Sequence, residues 1–294
     1  MKYREFDDWV SSELDSIESA LDSLVPTDSP AGLGDAMRYA VLDGGKRLRP
    51  LLVLAACEAV DGLAEAALRA GVAAELIHAY SLVHDDMPCM DNDALRRGKP
   101  TVHVRYGEAQ AMLAGDAMQA LAFEVLTPDG GVPAELQARL VGLLARASGH
   151  AGMAGGQAID LASVGKPLAE NQLRDMHRRK TGALLQCSVL MGAACGSTRA
   201  EAWQALSDYG AALGLAFQVI DDILDVTQTS EKLGKTAGKD TQAQKATYPS
   251  IVGLAKSRKI AEQLTQRAFA ALKPFRGKAA ALEALAGHLL KRDR

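Results

Sequence analysis

Aromatic residues are scarce, 4% of 294, and long runs of β-branched residues are few. A chain so poor in sheet-filling residues, and rich in Ala, Leu and Gly, favours helix over strand. Positive charge is not in excess. The net charge of -3 argues against a nucleic-acid binder, which is normally basic. The four cysteines, Cys57, Cys89, Cys187 and Cys195, form no CxxC pair and no zinc spacing. They read as free, mostly buried thiols of a reducing cytoplasm. The first residues, Met1 to Asp8, contain no apolar core of a secretory leader, so a cytoplasmic protein is expected. The uncharged stretch Thr181 to Thr198 holds Gln186, Ser188 and three glycines and follows Arg-Arg-Lys. It reads as a buried core helix and not as a membrane span.

Hydrophobic content of 48% is ample for a core, and the length allows one large domain or two ordinary ones. Apolar residues recur with helical period over 4–24 (Phe6, Trp9, Val10, Leu14, Ile17, Leu21, Leu24) and stop before Pro26. Further helices are expected over 33–42, 46–60, 64–87, 105–126, 133–163, 169–195 and 200–228, with two or three more between about 249 and 291. No convincing strand and no dividing linker stand out. The expectation is one all-α domain spanning 1–294, a bundle of about ten or more helices around a central cavity.

Two acidic clusters each follow a long apolar helix. In Asp221-Asp222-Ile-Leu-Asp225, positions 221 and 225 differ by about 40° around a helix, so they share a face that Gln218 joins. A lone cluster of this kind is more often a solvated helix end, but the flanks Leu215-Ala-Phe217 and Val219-Ile220 are apolar. In Asp85-Asp86-Met-Pro88-Cys-Met-Asp91 the outer carboxylates lie about 240° apart on an ideal helix. Pro88 removes a backbone donor, so the helix must bulge or end there and swing Asp91 back beside Asp85. Crowded carboxylates in apolar surroundings are costly without a cation, and an all-oxygen set suits Mg²⁺ bridged to a phosphate. Basic residues cluster at Lys46/Arg47/Arg49, Arg96/Arg97/Lys99 and Arg178/Arg179/Lys180, a pattern suited to small anions. Lys46 and Arg49, at i and i+3 of the expected 46–60 helix, would share a face at a helix start, where cations are unfavourable unless an anion is bound.

Together with Gly45-Lys46-Arg47-Leu48-Arg49-Pro50, Arg96-Arg97-Gly98-Lys-Pro-Thr, Gly156-Gln157, Lys180-Thr181-Gly182, Gly234-Lys235, Lys239-Asp240 and Lys245-Ala-Thr-Tyr-Pro249, these clusters resemble the short-chain trans-isoprenyl diphosphate synthases over nearly the whole chain. The likeness is nearest to bacterial farnesyl diphosphate synthases, whose first acidic motif has the same two inserted residues. The resemblance implies Mg²⁺-dependent condensation of isopentenyl diphosphate with dimethylallyl and geranyl diphosphate. It implies that Asp85 and Asp91 hold two Mg²⁺ ions and Asp221 a third, with Asp86, Asp222 and Asp225 behind them. Arg96, Lys180, Lys235 and Lys245 would grip the allylic diphosphate. Gly45, Lys46, Arg49, His78 and Arg97 would bind isopentenyl diphosphate. Thr181 and Gln218 would offer oxygen dipoles to a carbocation, and the 229–247 loop with Asp240 would close over substrate. The basic end, Lys291 to Arg294, is either a lid on the isopentenyl site or a frayed tail.

Chain length should be set beneath the first cluster, where Tyr80 and Ser81 lie five and four residues before Asp85. A ring there favours a C15 product over C20, with an ordinary core tyrosine as the plainer reading. The alternatives are a geranyl or geranylgeranyl diphosphate synthase, a terpene cyclase, and a regulatory subunit of a prenyl synthase. An intact Gly45–Arg49 block speaks against the cyclase, and two acidic clusters speak against the subunit. His84-Asp85 superficially matches an HD phosphohydrolase, but neither His78 nor His103 is spaced to complete its ligands. The family is usually homodimeric, and a homodimer is expected on resemblance.

Overall fold

The computed structural model describes residues 3–42, 44–227 and 245–291. Lys235, Asp240, Arg292 and Arg294 lie outside the described residues, and the side chain of Lys291 is likewise not described.

Helix α1 spans Tyr3–Leu24, α2 Leu33–Val41, α3 Leu48–Ala59 and α4 Ala64–Asp85. A two-residue hairpin follows, β1 Leu95–Arg96 and β2 Lys99–Pro100, antiparallel with Leu95 opposite Pro100. Then come α5 Val102–Tyr106, α6 Glu108–Val125, α7 Ala134–Ser148, α8 Met153–Ala162 and α9 Glu170–His177. A π-helical turn, Arg178–Gly182, joins α9 to α10, Ala183–Ala194. The remainder is α11 Ala200–Thr227, α12 Tyr248–Val252, α13 Leu254–Leu272 and α14 Ala280–Lys291.

Burial explains the layout. α4 and α10 are apolar nearly all round, so they occupy the middle: Ala70, Ala73, Leu76 and Ile77 of α4 and Leu184, Leu185 and Val189 of α10 are fully enclosed. α3, α6 and α11 pack against this pair, and their many alanines allow close helix approach. α1, amphipathic, lays Ile17 and Leu21 onto the core. The long α11 joins two apolar clusters. Leu206, Tyr209 and Leu213 belong to the main core, while Val219, Ile220, Ile223 and Leu224 pack with Leu173, Met176, Tyr248 and Leu264 of α9, α12 and α13. The fold is all-α, as expected.

Four local expectations are corrected. Helix α3 starts at Leu48, leaving Lys46 in the preceding loop, because Arg47 is left-handed at φ 44°. Lys46 and Arg49 therefore do not share a helix face. The expected 133–163 helix breaks at Gly149–Gly152 into α7 and α8, and the expected 105–126 helix breaks at Gly107 into α5 and α6. The hairpin before α5 had no counterpart in the sequence reading. No described helix is long and apolar enough to cross a membrane.

Candidate active site

α4 ends where Asp85 and Asp86 begin the first acidic motif. Past Asp86 the chain folds back on itself: Met87 N–H donates to the His84 carbonyl at 3.2 Å, and Asp91 N–H to the Asp85 carbonyl at 2.8 Å. This tight return, with exposed Pro88 at its turn, brings Asp91 beside Asp85. Asp86 points the other way. It is buried and takes a two-pronged ion pair from Arg96, 2.7 Å from Nε and 2.6 Å from Nη2.

Burial is the main cause that pushes the Asp85 carboxyl up to about 6, with Asp91 adding to it and Lys180, Arg96 and Lys245 opposing it. These five groups thus face one another. Lys245 Nζ donates to Asp91 Oδ1 at 2.9 Å, and Gln157 Nε2 donates to Asp85 Oδ1 at 2.9 Å. Lys180 Nζ is 2.6 Å from Asp160 Oδ2. The sequence reading missed Asp160, although its position three residues after Gln157 on α8 puts both on one helix face. α8 reaches the π-turn only because position 156 is glycine: a Cβ there would stand 2.2 Å from the Lys180 nitrogen.

Across the site, Asp221 is half-buried on α11 and close enough to Arg49 to stabilise its charge. Asp222 is buried, held by His177 Nε2 at 3.2 Å, the Tyr248 N–H at 2.9 Å and Gln218 Nε2 at 3.0 Å. Asp225 is buried too, and its Oδ2 has no hydrogen-bond partner among the described residues. Thr181 donates to Gln218 Oε1 at 2.8 Å, bridging the π-turn to α11. A cleft of about 70 Å³ lies between Asp160, Lys180, Gln218, Asp222 and Lys245.

A second, basic group gathers beside the first. The Arg97 guanidinium donates to the Gly44 carbonyl and lies against Gly45, where a Cβ would be 3.1 Å from it. Burial lowers the Arg49 pKa against the pull of Glu75 and Asp221, and its Nε is enclosed without a hydrogen-bond partner among the described residues. His78 is held well below its ordinary value by burial and then by Arg49, Arg97, Arg96 and Arg47, so it is neutral. Lys46 is exposed at the rim. Arg47, by contrast, turns inward to Glu75 at 2.9 Å, Glu18 at 2.6 Å and the Val41 carbonyl at 2.7 Å. Among Lys46, Arg47 and Arg49, Arg47 is the one that ties helices together.

Tyr80 is buried and faces α6: its ring lies edge-on to His84, 5.7 Å between centroids, and its hydroxyl bonds Gln119. Ser81 donates to the His78 carbonyl at 2.8 Å and shares the Asp85 side of α4, about 40° away.

Residues 30–280 match the family model described as polyprenyl synthetase. The chain belongs to the polyprenyl synthetase family. As such it is a prenyltransferase that elongates prenyl chains. This polyprenyl synthetase is 46% identical to the chloroplastic geranylgeranyl pyrophosphate synthase of Catharanthus roseus over 98% of its own length and 82% of the relative's. It superposes on the apo crystal structure of an FPP/GFPP synthase from Zymomonas mobilis with TM-score 0.87 and 40% identity, covering 97% and 99% of the two chains. It also superposes on a geranyltransferase from Helicobacter pylori complexed with magnesium and isoprenyl diphosphate, with TM-score 0.85, 34% identity and 97% and 96% coverage.

Proposed function

We propose that this polyprenyl synthetase condenses isopentenyl diphosphate head-to-tail with allylic diphosphates in a Mg²⁺-dependent reaction. One observation carries the reading: a partly desolvated Asp85–Asp91 pair is ringed by Lys180, Lys245 and Arg96, and a separate basic set is built on Arg49, which Asp221 adjoins, with Arg97 and neutral His78. Two anionic groups are thus accommodated differently, one at the Asp85–Asp91 carboxylates and one at a cluster of cations that Glu75 and Asp221 flank.

The carboxylate side fits Mg²⁺. Among the described residues no three His, Cys, Asp or Glu side chains converge into a complete cage. That suits an ion which takes one or two carboxylates and completes its shell with water and substrate phosphate. The buried Gln157 Oε1, without a hydrogen-bond partner among the described residues, is a further oxygen beside Asp85 that could join such a shell. Asp85, Asp91 and Asp221 would hold the metal, with Asp86 and Asp225 behind them; Asp86 would act through Arg96. Bound there, Mg²⁺ would supply the Lewis-acid stabilisation of a departing diphosphate.

The chain's own groups do the rest. Lys180, oriented by Asp160, and Lys245, now paired with Asp91, donate to the allylic diphosphate, and Arg96 adds charge from its seat on Asp86. Arg49, Arg97, Lys46 and the Gly45 backbone would hold the isopentenyl diphosphate, gripping it by charge and hydrogen bonds. Neutral His78 can donate one N–H to it. The hydrogen-bonded Thr181–Gln218 pair would offer oxygen dipoles to an allylic cation.

Product length divides two readings. The names of the curated relatives favour C20 over the C15 expected from Tyr80, and the turn of Tyr80 toward α6 weakens its role as a floor beneath Asp85. The observation for C15 is that the buried ring narrows the space between α4 and α6, and the Zymomonas neighbour is named an FPP/GFPP synthase. A homodimer is supported by apolar residues exposed on neighbouring segments: Val104 of α5 at 52%, Leu113 of α6 at 53% and Met112 of α6 at 42%.

The test is incubation with labelled isopentenyl diphosphate, dimethylallyl diphosphate and Mg²⁺, with a chelator control, for wild type and Tyr80→Ala. Metal-dependent condensation is expected. A wild-type C20 product unchanged in Tyr80→Ala supports the relatives' reading, and a C15 product that lengthens in the variant supports Tyr80. No condensation by the folded protein with dimethylallyl or geranyl diphosphate refutes the reading.

A further inference from the structure

The far end of α3 from Arg49 holds a feature that prenyl transfer does not use. Cys57 lies in the last turn of α3 and Cys195 directly after α10, both buried. The two helices meet there almost without side chains between them. A Cβ on Gly192 would stand 2.1 Å from the Val53 carbonyl oxygen and 3.0 Å from the Cys57 nitrogen. A Cβ on Gly62 would stand 2.8 Å from Cys57 Sγ and 2.9 Å from the Cys195 carbonyl carbon. The backbone is pinned on both sides: Gly62 N–H donates to the Cys57 carbonyl at 3.0 Å, and Leu63 N–H to the Cys195 carbonyl at 2.8 Å.

In this enclosure Cys57 and Cys195 adjoin one another across Gly62, and each thiol shifts the other. The Cys195 S–H donates to the Met191 carbonyl, 3.2 Å away. The neighbouring Cys195 lowers the Cys57 thiol, aided by the Gly62 N–H and opposed by burial, while Cys57 and burial raise Cys195. The other cysteines lack this pairing. Burial drives Cys187 up to about 12, and Cys89 is exposed in the first acidic motif.

We propose that Cys57 and Cys195 are a redox modification site that closes to a reversible disulfide on exposure to a peroxide. The Cys57 thiolate attacks one peroxide oxygen, the O–O bond breaks, and the leaving hydroxide takes a proton to become water, leaving a sulfenic acid on Cys57. The Cys195 sulfur then gives up its proton and attacks the Cys57 sulfur; the S–S bond forms, the S–O bond breaks, and a second water leaves. Two thiols are oxidised by two electrons and one peroxide is reduced to two waters. The new bond staples the end of α3, the start of α4 and the end of α10, closing a long loop of the unfolded chain.

The test uses the reduced full-length protein treated with hydrogen peroxide, followed by thiol alkylation, peptide mapping and thermal unfolding. A cross-linked peptide joining Cys57 to Cys195, two hydrogens lighter and released by dithiothreitol, is expected, with Tm raised by about 5–10 °C. Cys57→Ser and, independently, Cys195→Ala should lose both signals, and Cys187→Ala should keep both. The wild-type map decides even where a variant misfolds. Recovery of Cys57 and Cys195 as alkylated thiols, from protein whose exposed Cys89 has been oxidised, overturns the proposal. So does a Cys57 that stops at sulfinic acid.

Discussion

Replacing Gly156 with alanine tests whether helix contact positions Lys180, the lysine proposed to grip the allylic diphosphate. The added methyl would stand 2.2 Å from the Lys180 nitrogen, 2.5 Å from its Cα and 2.8 Å from the Arg179 carbonyl carbon. All three are backbone atoms, so no rotamer change relieves the clash. Restoring ordinary contact requires α8 and the π-turn to part by at least about 1 Å. Overpacking of this kind costs about 1–3 kcal/mol, partly offset by the roughly 0.5–1 kcal/mol that alanine gains over glycine in a helix. A net loss of about 1–2 kcal/mol lowers Tm by about 2–3 °C for a chain of this size. Activity should suffer more. Gln157 reaches Asp85, and Asp160 reaches Lys180, from the displaced helix, at 2.9 and 2.6 Å. A misplacement of about 1 Å reduces kcat on the order of 10²-fold. The assay is steady-state kinetics at saturating Mg²⁺ and both diphosphates, with thermal unfolding in parallel. Gly142→Ala on α7, where a Cβ meets only the Arg146 guanidinium at 3.4 Å or more, is the matched control and should be neutral or slightly stabilising. Wild-type kcat and Tm in Gly156→Ala would refute the idea that this contact sets the Lys180 position.

Asp160→Asn removes the counter-ion of Lys180 and should lower kcat about 10-fold or more while leaving KM for isopentenyl diphosphate unchanged; a shift confined to that KM would argue against the assignment. Breaking the buried Arg47–Glu75 pair with Arg47→Met should cost about 3–5 kcal/mol in urea unfolding, because Glu75 is left enclosed and unpaired. Adding Glu75→Leu should recover much of that, and no recovery would place the cost elsewhere. His78 gives a pH signature. Its folded pKa lies well below the ordinary 6.5, so as pH falls below about 6.5 the unfolded chain takes up the proton first and stability declines. That contribution is fully present at neutral pH. His78→Gln should flatten the acid limb between about pH 6.5 and 5, and an unaltered slope would remove His78 as its source.

Much of the fold was legible because α1, α4 and α11 carry long apolar periods whose ends coincide with Pro26, Pro88 and the acidic clusters. The return of Asp91 toward Asp85 was legible as well, since Pro88 forbids the regular helix that would separate them. Other features depend on contacts distant in sequence. Which of Lys46, Arg47 and Arg49 turns inward is decided by Glu18 on α1 and Glu75 on α4, and no local pattern reveals that. The glycines from 149 to 156 let a neighbour approach closely, as Gly156 does against Lys180. They also break the helix, because Gly149 and Gly152 both leave helical backbone angles there. Asp160 was overlooked although Gly156, Gln157 and Asp160 form a compact signal: a close-approach glycine followed by two polar residues on one helix face. Tyr80 shows the limit of counting residues back from a motif, since five steps along a helix turn the side chain well away from Asp85.

The π-turn at Arg178–Gly182 constrains how the family's chains can diverge. Each residue in a helix rotates what precedes it by about 100°. Deleting one residue from this turn would relax it to regular helix, yet would also swing Asp175, Met176 and His177 away from α11, or else Lys180 and Thr181 away from Asp160 and Gln218. Length changes are therefore tolerable in the loops before α9 and after α10, but not at the turn itself. The turn acts as a register mark, locking the two faces of one helix to two different neighbours.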